Sequence, residues 1–231
     1  MTPTPLSTSF LFQIFQSPDL HRSALCHHFN VYRAPLGTST LPQTFDMPVL
    51  RDAHMPSHVV AVTQANSPAP PLMLPIDATL YAHGFRVDLA FPTAAPGTTS
   101  PVPRALDPSS PTSRLVVTLP VVPLAVPHAP SLPLLFLFGL GLEQQPNTLA
   151  WRLLPAHVVE EFPNAAAMAQ VLARTLRDDK FEALYRMNHG MWCNVLALGL
   201  RNTRIAELVQ TVWNVTAEAR KIRQRAGLGR Q

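Results

Sequence analysis

The 231-residue chain holds two cysteines, two lysines and no proline beyond Pro163. Each shortage excludes something. Cys26 and Cys193 lie far apart, so they build neither a disulfide framework nor a Cys-based zinc site, which fits a reducing compartment. Charged residues make up only 14% against 47% hydrophobic, the reverse of a disordered chain, so apolar surface must be buried. The longest apolar run, Leu132 to Leu142, is interrupted by Pro133, Gly139 and Gly141 and falls short of the ~20 residues that span a bilayer. Phe10 to Phe15 is too short, and lacks the basic residues before it, for a signal peptide. No Gly-rich phosphate loop precedes a helix, and there is no Gly-x-Ser-x-Gly elbow. The chain therefore reads as a non-enzyme with no catalytic residues, no cofactor, no metal and no membrane, located inside the cell in nucleus or cytoplasm.

Proline is plentiful up to Pro163: all 25 of the chain's prolines lie there, and over the whole chain that is roughly twice the usual ~5% share. The chain divides accordingly. Residues 1–57 carry scattered Pro, Ser, Thr and His without a sustained period and read as a mobile extension. Residues 58–162 form a Pro-rich α+β segment. His58–Thr63 and Leu72–Ile76 suit strands, and Asp77 caps a helix stopped by Gly84. Residues 92–113 have the Pro, Gly, Ser and Thr content of an exposed insertion. Arg114–Leu119 resumes strand composition, and the prolines after it place Val121–Val126 at an edge or in an extended crossing. Ser131 caps an all-apolar helix carrying Leu134 to Phe138, which should be buried.

Residues 163–231 are the helical segment, packed on the former as one domain. Asn164 caps a helix from Ala165 to Arg177. A second runs from Lys180 to Asn188 and resumes at Met191, with Gly190 as a break or bend. Ile205, Leu208, Val209, Val212, Val215, Ala219 and Ile222 make a one-sided stripe on a third, from Arg204 to Ala226. Three such stripes give a helical bundle.

The titratable residues form few patterns. His54 and His58 share a helical spacing, but Pro56 between them argues against a helix. His21, Cys26, His27 and His28 cluster without a matching carboxylate and read as surface or docking residues. Cys193 beside Trp192 reads as core. Arg220, Lys221, Arg223, Arg225 and Arg230 exceed what a helix C-terminus attracts, and they form a candidate basic patch for nucleic acid or nuclear localisation. The aromatic interleaving of single-strand readers is absent from it.

Three segments carry a resemblance. Leu74-Pro75-Ile76-Asp77-Ala78-Thr79-Leu80-Tyr81-Ala82 is the first, and Leu119-Pro120-Val121-Val122-Pro123-Leu124-Ala125-Val126-Pro127 the second. The third is Gly190-Met191-Trp192-Cys193-Asn194-Val195-Leu196-Ala197-Leu198-Gly199, with Trp213 downstream. Together, over roughly residues 58–217, they resemble the clampless-type proteins of basidiomycete fungi. That family is implicated in clamp-cell formation and dikaryon development and has no known catalytic activity. Phe136-Leu137-Phe138 departs from it, standing where members carry a Tyr-rich helix, and the Gly139-Leu140-Gly141 that follows is also unusual for the family. The middle segment is also similar to the BTB/POZ order of strand, helix, strand and closing short helix. The resemblance implies a small BTB/POZ-like sheet-and-helix middle followed by a C-terminal helical bundle. It also implies a regulatory adaptor of fungal sexual development whose partner is a protein such as a developmental transcription factor. Its contact residues would be Phe136, Phe138, Trp192 and Leu196, positions that serve equally well as core. The alternative is a nucleic-acid-binding regulator that uses Arg220, Lys221, Arg223 and Arg225.

Overall fold

The computed structural model describes residues 18–37, 40–65, 67–92, 101–107, 109 and 114–227. In chain order the elements begin with α1 (Pro18–His28), β1 (Thr44–Pro48), β2 (His58–Gln64), β3 (Leu72–Ile76), α2 (Ala78–Gly84), β4 (Arg104–Ala105) and β5 (Leu115–Val126). A 3-10 turn, Ala129–Ser131, leads to α3 (Leu132–Gly139). Then come α4 (Pro146–Leu153), α5 (Ala156–Val159), α6 (Ala165–Thr175), α7 (Asp178–Leu198) and α8 (Thr203–Arg225). The fold class is α+β, with a mixed sheet in the order β1-β5-β2-β3 and β4 also paired to β5.

β5 is one unbroken strand rather than an edge continuation, and its prolines show why that is allowed. Its first half pairs antiparallel with β1 (Met47 opposite Val117), and its second half pairs parallel with β2 (Val60 opposite Val122). Val121 N–H donates to the Gln43 carbonyl at 2.9 Å, so Pro123, two residues on, turns its missing N–H the same way, past the start of β1. Pro120 faces the opposite flank, between the end of β4 pairing at Val116 and the start of β2 pairing at Val121. In β3, which among the described residues pairs only with β2, Ser57 N–H donates to the Ile76 carbonyl. The neighbouring Pro75 therefore faces the open edge.

α3 is the centre of the molecule. All eight of its residues are buried, Phe136 at 0% exposure, and it packs against α1 and α7. The rings of Tyr81 and Phe85 meet Phe136 at 6.2 and 5.7 Å between centroids. α2 ends against α3 at two glycines: a β-carbon on Gly84 would run into the Gly139 carbonyl, and one on Gly139 into the Phe85 ring. Ser131 does not cap α3 with its side chain; its hydroxyl is engaged elsewhere, as described below. Asp77 and Asn164 do cap, accepting from Leu80 N and Ala167 N at 2.9 and 3.0 Å.

Two expectations, on residues 18–57 and on Gly190, need correcting. Residues 18–57 are not a mobile extension where they are described: α1 buries Leu25 and Cys26, Phe29 and Val31 follow into the core, and β1 buries Met47. The period of α1 is hidden because one of its three buried positions is His21. Residues 1–17 lie outside the described residues, as does most of 92–113, although Arg104–Ala105 within that span pairs with β5. Gly190 is not a break. α7 runs straight through it, and the missing side chain makes room for the His128 ring. His54 and His58 share no helix, since His58 opens β2 and lies against Ser57 Oγ and the Pro92 carbonyl. One cluster of buried side chains runs from Leu25 to Ala219 and includes both the sheet and the helices.

Phe136→Ala is expected to destabilise the chain by about 3–5 kcal/mol. Gly190→Ala, which drives a methyl into the His128 ring, should cost about 1–3 kcal/mol. Denaturant melts check both. A Gly190→Ala variant as stable as the parent would remove the close approach from the account.

Candidate interaction surface

At the end of β5 a set of polar groups ties the sheet to α7. Asn194 Nδ2 donates to the His128 carbonyl at 2.7 Å and to Ser131 Oγ at 3.0 Å, while its Oδ1 accepts from His128 N at 3.1 Å. Ser131 Oγ donates to the His128 carbonyl at 3.2 Å and lies 2.9 Å from His128 Nδ1. The network closes when Nδ1 carries the ring proton. Gln64 Oε1, from the end of β2, accepts from Ala129 N at 3.0 Å. Ser131 and His128 have the separation of a nucleophile and its base. However, Ser131 is wholly buried and its hydroxyl proton is engaged on a carbonyl, so the arrangement is a structural clasp. Deeper in, Asn188 bridges the Leu153 carbonyl and Thr216 Oγ1. None of these asparagines was singled out from sequence, because a buried amide leaves no periodic signal.

The clasp fixes the rotation of α7 and hence what it presents outward. Tyr185, His189, Trp192, Cys193 and Leu196 fall within about 100° of one another around the helix. Leu196 is 62% exposed, and Trp192 is half-buried with its inner part against the core. Trp213 of α8 extends the stripe, with its ring 5.2 Å from Tyr185 and 4.7 Å from His189. Arg220 lies over the Tyr185 ring at 4.1 Å and pairs with Glu182 at 3.5 Å, while Arg186 stands exposed beside them. Cys193 Sγ is 3.5 Å from His189 Nε2. Trp151 and Phe162 are exposed elsewhere, but among the described residues only this face gathers two tryptophans, a tyrosine and two arginines.

Of the four contact residues expected from sequence, Phe136 and Phe138 are therefore core, whereas half-buried Trp192 and exposed Leu196 lie on the outer stripe of α7. Tyr185, His189 and Trp213 were missed, since their role depends on α7 and α8 lying side by side. The candidate basic patch does not form as a unit. Arg223 is 7% exposed and donates to the carbonyls of Ala173 and Leu176 at 2.6 and 2.8 Å and to Asp178. It thus closes the C-terminus of α6 and the N-terminus of α7, with its guanidinium 4.6 Å over the Phe181 ring. Lys221 pairs with Glu218 at 3.1 Å, and Arg220 is taken up as described. Arg225 is exposed, and Arg230 lies outside the described residues.

Burial pushes the Cys26 thiol up to about 11. Among the described residues no group of three or more His, Cys, Asp or Glu side chains is placed to hold a metal ion. No described helix is long and apolar enough to cross a membrane. Comparison of the chain with protein-family models, curated proteins and solved structures found no match.

Two outcomes are expected. Arg223→Ala strands two carbonyls and should cost about 1.5–3 kcal/mol, with no rescue by Arg223→Lys, because one amine cannot follow the guanidinium fork. Thermal melts decide this. Burial first, then His189 and Arg186, hold the His128 ring below its ordinary 6.5. As pH falls through 6.5 the unfolded chain takes up this proton before the folded one, so stability is full above 6.5 and declines below it until the folded ring protonates. Melts at about pH 7.5 and pH 5 should show a smaller loss for His128→Gln than for the parent; equal losses would remove His128 as the cause.

Proposed function

We propose that the chain is a non-catalytic regulatory adaptor that works by protein–protein contact through the outer face of α7 and α8. The observation that carries this is the stripe of Tyr185, Trp192, Leu196 and Trp213 with Arg186 and Arg220. Trp, Tyr and Arg dominate binding energy at protein interfaces, where a rigid aromatic offers large area at low entropic cost. An apolar segment with acidic flanks suits the face, given two arginines and one glutamate around it. The serine of the serine–histidine pair is wholly buried, which also supports a role outside catalysis.

The proposed setting is fungal sexual development, namely clamp-cell formation and control of the dikaryon, with a developmental transcription factor as partner in nucleus or cytoplasm. The three segments quoted above support it. The first supplies β3 and α2, the second the long β5, and the third the half of α7 that carries Trp192 and Leu196. The order β2, β3, α2, β5, α3 followed by helices also agrees with a BTB/POZ-like interaction module. Nucleic-acid binding by the C-terminal helix is not proposed, because Arg223 is committed to the fold.

Leu196→Arg alters only an exposed position, so its melting temperature should stay within about 2 °C of the parent's. A two-hybrid or purified pull-down assay against transcription factors of the same organism should show a partner that the parent holds and Leu196→Arg and Trp192→Ala lose. A screen returning only chaperones, or a partner indifferent to both variants, would sink the proposal.

A further inference from the structure

Away from the α7 face, a cavity of about 350 Å³ opens where the two parallel strands β2 and β5 end. Val62, Thr63 and Gln64 form its floor, and Ala129, Pro130 and Pro133 one wall. Leu72, Ala69 and Pro70 form another wall, and Pro18, Asp19 and Arg22 of the first turns of α1 the lip. Its size is at the small end of ligand pockets, roughly 300–1,000 Å³.

The lining is mostly aliphatic, and its polar side chains are Asp19, Arg22, Thr63, Gln64 and Ser67, of which Arg22 is the one cation. Arg22 gives one terminal nitrogen to the Ala34 carbonyl at 3.1 Å, but its buried Nε–H has no acceptor among the described residues. The carboxylate that could serve it, Asp19, is instead held by Arg33 at 2.7 Å. Gln64, also in the lining, uses its carbonyl on Ala129 N, so its amide nitrogen is the part of that side chain left to donate to a ligand. The positive end of the α1 dipole stands at the same lip. A buried guanidinium N–H without an acceptor is costly until an anion arrives.

We propose that this cavity binds a small monocarboxylate with an apolar body, the carboxylate received by Arg22 and Gln64 and the body lying on Val62, Leu72 and Pro133. The site is independent of the α7 and α8 face, and its ligand would be a small metabolite rather than a protein.

The test is calorimetric titration of the full chain with octanoate and, as the uncharged match, octanol. Octanoate should bind saturably at one site, at least about tenfold more tightly than octanol. Arg22→Met should erase that preference. Because Arg22 also holds the Ala34 carbonyl, a second variant is needed that leaves it intact. Ala69→Trp, changed at an exposed position on the rim, fills the mouth and should abolish binding of both probes without lowering the melting temperature. No saturable octanoate binding by the parent, equal affinity for octanoate and octanol, or undiminished binding by Ala69→Trp would each overturn the proposal.

Discussion

An eight-residue helix with no polar side chain, Leu132–Gly139, has to be covered on every side, and the rest of the molecule is arranged by that demand. Each of its large apolar side chains is worth about 1.5–3 kcal/mol if fully buried, and no single neighbour can cover them all. α1 arrives from the N-terminal stretch, α2 closes down through the Gly84–Gly139 contact, and α7 covers a further side. The helical end of the chain is consequently not a separate bundle. It shares one continuous core with the sheet.

Polar groups then fix what hydrophobic burial leaves undetermined. Burial alone would let α7 rotate by a fraction of a turn. Asn194, locked onto His128 and Ser131 beside the notch left by Gly190, permits only one rotation. Arg223 does the same at the far end by gathering the last carbonyls of α6 and the first carboxylate of α7. With both ends pinned, Trp192 and Leu196 are left facing outward beside Trp213. The candidate contact surface is in this sense a consequence of the clasps.

Much of the local structure was legible in the sequence. The capping of α2 by Asp77 and of α6 by Asn164, the burial of α3 and the stripe on α8 follow from residue type and period. What escaped depends on partners distant in the chain. α1 looked structureless because His21 occupies one of its buried positions. β5 looked like an edge because its prolines suggest one, yet both fall where a neighbouring strand is absent. Arg220, Lys221, Arg223 and Arg225 at the end of α8 read as a patch because sequence does not reveal that Arg223 turns inward toward Ala173. Phe136 and Trp192 looked equivalent as apolar residues; only the packing of α3 and α7 separates core from surface.

In the proposed adaptor role α7 and α8 form the working face and α3 supports it. A photo-crosslinking residue placed at Leu196, with a control at Arg225, tests this most directly in cells that form the partner complex. The account predicts a covalent adduct to a single protein from position 196 and none from position 225. Adducts from position 225 alone, or none at 196 while the complex still assembles, would contradict it.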